Sequence, residues 1–451
     1  METLAIVILY MFVILIYTYY TRLYLRKNRF PGAYNGFIMG CLLYYGFIPF
    51  IFIIFKGFYL NQAGDWRYSQ ILQFIYGPNV KFENILLTIG GLLVGLVGLN
   101  FGYKIKRRFN NVANNEYIST ALDDGFISVI RRTAYVTLVL GGFAIVLYVS
   151  AFGGLNRALQ LAEVLRQHYS SMSDYGMSGI YSYFLILSGA LTVTPLLFYL
   201  AWKNSHKTAD LIWSLFAFVL AAVYLLINSG KSAILRLGII IFYMILHERK
   251  VKRKWFWFAL VIMLGLPIMD ILDALFAQQS ISEAFKNFNY LYLAREFAIP
   301  TELNYNMNEI VQRYGYLYFK NLVTDFLDIL PGLQFEASFT NTSEFMRGVN
   351  WMRLGGTPND VLTYGFLQFK YIGVFVIWLL WGMISGWLDN MIGRINNERG
   401  RRMISIIVCM NMFSVITCAD ISSTILYNLS FILIALVLWR YNKRAVRIQN
   451  N

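Results

Sequence analysis

The chain has 451 residues, of which 58% are hydrophobic, 14% charged and 17% aromatic, with a formal net charge of +15. Soluble globular domains carry about 25% charged residues, so this composition excludes an ordinary soluble enzyme and equally excludes disorder. The apolar residues fall in blocks of about 17 to 25 between charged punctuation, the length that crosses a hydrocarbon layer about 30 Å thick.

In chain order, eleven spans are predicted, near 3–24, 36–56, 84–104, 132–153, 178–202, 209–228, 231–247, 255–276, 366–389, 403–420 and 422–440. The first is too long for a signal peptide and lacks a small-residue cleavage pattern, so it is expected to remain as an anchor. The expected fold class is an all-α polytopic transmembrane bundle: a membrane domain over 1–276, a long helical outer loop over 277–365, and a second membrane part with a basic tail over 366–451. Inside the loop, Ser280 and Glu283 have capping-box spacing, and a helical pattern runs from Glu309 to Leu330 and stops at Pro331 and Gly332. Pro49, Pro195 and Pro267 lie inside predicted spans, where each removes a backbone donor and predicts a kink.

The charge has two possible meanings, a polyanionic partner or membrane orientation, and its distribution decides. Alternate connections hold Arg22–Arg29, Lys104–Arg108 with Arg131 and Arg132, Lys203 and Lys207, Arg249–Lys254, Arg394–Arg402 and Arg440–Arg447, which together carry 25 of the 39 basic residues. That bias predicts an N-out, C-in topology and no nucleic-acid partner. Cys41, Cys409 and Cys418 all fall in predicted spans, so neither a disulfide framework nor a zinc site is implied.

Gly230, Lys231 and Ser232 imitate the end of a phosphate loop, but Leu225 stands where that motif needs glycine. What survives is Lys231 at the outer mouth of a span and Arg236 inside it, where a cation is costly unless it faces a polar cavity or a partner such as Asp270 or Asp273. The other outer cations are almost all arginine: Arg157, Arg166, Arg295, Arg313, Arg347 and Arg353. Guanidinium suits phosphate oxygens, whereas a topology signal needs only positive charge. The candidate outer acids are Asp65, Asp270, Asp273, Glu296, Asp325, Asp328, Asp360 and Asp420, for each of which helix capping competes with chemistry. His206 and His247 are inside, so His168 is the one outward imidazole, and the outer loops hold no pair of carboxylates at metal-site spacing. No metal and no cofactor are expected.

Four stretches in order resemble the bacterial polysaccharide repeat-unit polymerases, the O-antigen and capsule polymerase family. They are 228–235 around Lys231, 293–297 around Arg295, 314–319 followed by 330–333, and 355–360 leading to 369–373. Tyr364 and Gly332 stand where the family has Glu and Arg, and the long loop lacks the His of the related ligases. The resemblance implies a GT-C-like bundle in the bacterial inner membrane. Its activity would be transfer of a glycan from undecaprenyl diphosphate to a lipid-linked repeat unit on the outer face, with a chain-length regulator and membrane lipids as partners. A lipid-linked oligosaccharide flippase and an O-antigen ligase are the alternatives.

On this reading fixed cations stabilise the diphosphate that leaves. That role is expected of Arg236, Lys231, Arg295 and Arg166, and the orienting or deprotonating group is expected among Asp360, Asp270 and Glu296. Tyr314, Tyr316, Tyr318 and Trp351 are the candidates for stacking on sugar, with packing of the loop as the competing role.

Overall fold

The computed structural model describes residues 2–28, 30–62, 68–78, 80–108, 120–166, 180–228, 231–248, 291, 294–327, 338–348, 357–395 and 397–450. Every regular element among them is helical. Among the described residues, seven helices are apolar and long enough to cross a membrane: Glu2–Lys27, Ala33–Ile54, Phe82–Lys106, Gly125–Ala151, Tyr183–Ser205, Thr208–Ile227 and Val361–Gly393. Their outer faces expose Leu4, Ile8, Leu15, Val139, Phe143, Ile212 and Leu215, a girdle suited to hydrocarbon. The molecule has the architecture of a multi-pass membrane protein.

Helix α1 is Glu2–Lys27. The next predicted span is divided by Pro49 into α2 (Ala33–Cys41), a π turn (Leu42–Phe47) and α3 (Ile48–Ile54), with the proline in the first turn of α3. Short helices α4 (Lys56–Leu60) and α5 (Ser69–Phe74) lead to α6 (Phe82–Arg108), α7 (Thr120–Ala151) and α8 (Leu155–Arg166). Pro195 breaks the following span in the same way, giving α9 (Ile180–Ser188), a 3-10 turn and α10 (Thr194–Ser205). Helices α11 (Thr208–Ile227) and α12 (Lys231–Glu248) complete this half. The predicted span 255–276, Pro267 and the Ser280 capping box lie outside the described residues.

The loop contributes α13 (Ile299–Tyr305), α14 (Met307–Tyr314), α15 (Asn321–Leu327) and α16 (Phe339–Arg347). The expected continuous helix from Glu309 to Leu330 is thus two helices. Gly315 adopts φ 79°, a conformation open to glycine, and Tyr318 and Phe319 also have positive φ, so the chain cannot continue as a helix there. The last elements are α17 (Val361–Gly393), α18 (Glu398–Val415), α19 (Ile421–Tyr427) and α20 (Leu429–Asn450). The final predicted span, 422–440, is therefore divided at Asn428.

Helix α17 corrects the expected span 366–389. Phe369 and Lys370 leave the helical region, Lys370 with φ 50°. Gly365 then packs against the backbone of Gly373 and Val374. Nine residues of straight helix would separate Gly365 from Val374 by about 13 Å. The chain therefore reverses, and residues 361–368 run back into the bundle beside the long segment that follows.

That long segment packs on α6 through small residues. Gly98 and Gly102 lie against the backbone at Phe375 and Leu379, while Gly382 lies against the Leu99 carbonyl. The spacing of Gly98 with Gly102 and of Gly382 with Gly386 lets two backbones approach where any larger residue would hold them apart. Trp378 fills the wider space at Gly95 and meets Phe37 edge to face at 5.3 Å.

The basic connections gather at one end of the bundle. Arg399 donates to the Lys203 carbonyl at 3.0 Å, Asn390 to that of Lys106 at 3.3 Å, and Arg394 to Asn442 at 3.4 Å. At the same end Arg131 pairs with Asp210 at 2.7 Å and also donates to Ser205. Asp389 accepts from the Ala33 amide at 2.7 Å and from the hydroxyls of Tyr24 at 2.9 Å and Tyr103 at 3.2 Å. It supplies in trans the cap that Gly32, having no side chain, cannot give α2.

Candidate functional site

The opposite end is built around α13. Its six residues from Pro300 to Tyr305 are all buried, although they belong to a loop. Pro300 opens the helix, where the missing amide costs nothing. The Thr88 hydroxyl donates to the Asn304 carbonyl at 2.9 Å, and Thr363 donates to the Asn304 side chain at 2.9 Å. Asn306 donates to the Phe74 carbonyl at 2.8 Å. These bonds wedge α13 between α5, α6 and the returning segment 361–368.

Glu302 sits in this wedge, 2% exposed, with one carboxyl oxygen lacking any hydrogen-bond partner. Burial pushes its carboxyl up to about 7, against the pull of Arg295 and Arg347. Arg295 lies in the Ala294–Phe297 turn that leads into α13, and Arg347 closes α16, where its Nε donates to Thr357 at 3.2 Å. Two cations from separate elements therefore act on one buried acid.

The same turn packs on Tyr44, a neighbour of Arg236. Phe297 packs on Tyr44 with ring centroids 6.0 Å apart, and Tyr44, Tyr224 and Cys418 form the electrostatic surroundings of Arg236. Tyr44 also lines a narrow crevice with Tyr10, Tyr45, Pro49, Thr88, Thr301, Asn304 and Tyr305. Arg295 and Arg347 thus act on the buried Glu302, while Arg236 neighbours Tyr44, one of the residues that line the crevice.

Asp360 adjoins the crevice through Tyr45. One carboxyl oxygen accepts from the Tyr45 hydroxyl at 2.7 Å and the amides of Leu362 at 3.0 Å and Thr363 at 3.2 Å, so Asp360 caps the returning segment. Its second oxygen has no partner, nor does either polar atom of the neighbouring Asn359 side chain. Tyr45 stacks on Trp378, which lies two turns, about 10 Å, along the long segment from Tyr371, so this cap is well inside the bundle.

Two further acids are fully engaged. Asp420 accepts from the Asn359 amide at 3.1 Å, the Ser423 amide at 2.9 Å and the Ser422 hydroxyl at 3.1 Å, and caps α19. Asp325 accepts from the Ser338 amide at 2.6 Å and hydroxyl at 2.8 Å, from Asn321 at 3.1 Å and from Tyr364 at 3.3 Å. Burial raises Asp325 to about 6, and its bonds from Ser338 hold it from rising further.

The remaining sequence candidates divide by location. Lys231 opens α12, Arg166 closes α8, and Glu296 lies in the turn beside Arg295. Asp270, Asp273, His168, Trp351 and Arg353 lie outside the described residues. Arg313 lies over the ring of Tyr314 at 5.2 Å and pairs with Glu344 at 3.6 Å, which ties α14 to α16 and gives Tyr314 a packing role. Tyr316 and Tyr318 cluster with Phe369 at the reversal of α17, and Tyr318 keeps half its surface exposed.

Glu302 is the residue that sequence reasoning missed, whereas Arg347 was already among the outer arginines. Glu302 lies in a polar stretch with no motif, and only its burial distinguishes it. Protein families, curated proteins and solved structures gave no match to this chain. The site is therefore read from its own geometry.

Proposed function

We propose that the chain is a metal-independent membrane glycosyltransferase, a polysaccharide polymerase acting on undecaprenyl-diphosphate-linked repeat units. In this reading it is an eleven-span, GT-C-like bundle of the bacterial inner membrane, oriented N-out and C-in by its Lys and Arg bias. The growing glycan on its lipid carrier is the donor and a single lipid-linked unit is the acceptor. The acceptor hydroxyl attacks the anomeric carbon, and the polyprenyl diphosphate departs with the bonding electrons.

What supports the reading is that Arg295 and Arg347 act together on a buried acid, while Arg236 neighbours Tyr44 of the adjoining crevice, at the end of the bundle away from the basic connections. Negative charge grows on the diphosphate as the sugar leaves, and preoriented guanidinium groups stabilise that charge more than they stabilise the bound donor. In the proposal the same role falls to Lys231, the first residue of the helix that carries Arg236, and to Arg166, the last residue of α8. Tyr318, exposed beside Tyr316, offers a ring face to a sugar.

Polymer length in cells carrying Arg236→Ala or Arg295→Ala at normal protein levels tests the assignment. Short or absent polymer is expected in both. Chains of wild-type length in both variants would overturn it.

A further inference from the structure

We infer that Glu302 is the general base of the site, taking the acceptor hydroxyl's proton onto its unpartnered carboxyl oxygen. This rests on the glycosyl-transfer reading and gives Glu302 the role expected from sequence of Asp360, Asp270 or Glu296; Asp270 and the Glu296 side chain lie outside the described residues. Asp360 and Asp420 cap helices, and Asp325 is saturated by four donors. Glu302 caps nothing. Residues Pro300, Thr301 and Leu303 to Tyr305 already fill the wedge, and an apolar side chain would satisfy the packing at 302 without the cost of burying a carboxyl.

The surroundings of α13 are specific. The charges acting on Glu302 are Arg295, from the turn before it, and Arg347, from α16. From the elements packed around the helix come Tyr10, Tyr44 and Tyr45 at the crevice, Phe74 from α5, Thr88 from α6 and Thr363 behind the Asp360 cap. Helix α14 carries Glu309 and Arg313, the latter engaged with Glu344. A carboxyl that burial holds near 7 is matched to proton transfer near neutral pH.

The step balances without a further reactant. The acceptor O–H bond breaks and its proton passes to Glu302. The oxygen forms the new bond to the anomeric carbon, the bond from that carbon to the diphosphate oxygen breaks, and the diphosphate keeps the electron pair. Glu302 then returns the proton to water.

The test is extension of a polyprenyl-diphosphate-linked repeat unit by the purified full chain in nanodiscs, measured from about pH 5.5 to 9 for wild type, Glu302→Gln and Glu302→Asp. Wild type should gain rate as pH rises, with a midpoint near 7. Glu302→Gln should lose about 100-fold or more in kcat and the acid limb with it, at little change in donor KM. Glu302→Asp should keep an acid limb with a displaced midpoint. Glu302→Gln or Glu302→Asp with the wild-type rate and midpoint would overturn the assignment, as would a slowed Glu302→Gln that keeps the wild-type midpoint. A wild-type chain that extends nothing at any pH would instead break the polymerase reading beneath it.

Discussion

The two ends of the bundle treat buried acids in opposite ways. At the basic end, Asp210 receives both a two-pronged arginine and a serine, and Asp389 receives three donors from three segments. At the other end, Glu302 and Asp360 each keep an oxygen without a partner, and Glu302 feels the charges of Arg295 and Arg347. A satisfied carboxyl serves stability, since removing it orphans its donors. A partly satisfied one costs stability, and function is the reason to keep it. The difference predicts that mutations at the two ends will separate stability from activity.

The largest effect on stability is expected at Asp210→Ala, which strands the Arg131 guanidinium and should cost about 3–5 kcal/mol. Thermal unfolding in detergent checks this, with activity per folded molecule unchanged. Gly382→Ala comes next. A methyl there meets the Leu99 carbonyl, so α6 and α17 must separate, at a cost of about 1–3 kcal/mol. A variant as stable as wild type would break the account of that interface.

The pH dependence of stability sharpens the comparison at the other end. Glu302 has its ordinary proton affinity, near 4.5, in the unfolded chain and a raised one, about 7, when folded. Between these values the folded state alone holds the proton, so stability falls as pH rises and levels off above about 7. Asp325 adds a weaker loss of the same sign up to about 6. Glu302→Gln should remove the larger part of that slope and be more stable than wild type at pH 8, by about 1–3 kcal/mol. Equal pH slopes in unfolding curves of the two proteins would contradict the burial of this acid. The smallest effect is expected at Tyr318→Ala, a severalfold rise in acceptor KM with folding intact, because the ring is exposed at the reversal of α17.

The membrane architecture, the breaks at Pro49 and Pro195 and the segregation of Lys and Arg were legible because they follow from local pattern. Arg236 stood out because a cation among apolar neighbours is conspicuous in any span. The reversal at Phe369 and Lys370 was hidden, since an apolar run reads as one helix until tertiary bonds from Leu317 and Tyr318 hold its carbonyls at the turn. Glu302 was hidden for a related reason. A glutamate in a loop looks solvated until α5, α6 and the returning segment close over it. Asp360 was legible as a polar residue at the loop exit, while its capping role depends on a chain reversal that no local pattern announces.

The central claim is that the end of the bundle holding Arg236 and Glu302 transfers glycan from a diphosphate carrier. The direct measurement sizes the products when purified wild type and Arg236→Ala are incubated with lipid-linked repeat units and no ATP. The account predicts a ladder of polymer from wild type and a rate about 100- to 1000-fold lower from the variant. Units bound but never extended by wild type, or the same ladder from both proteins, would contradict it.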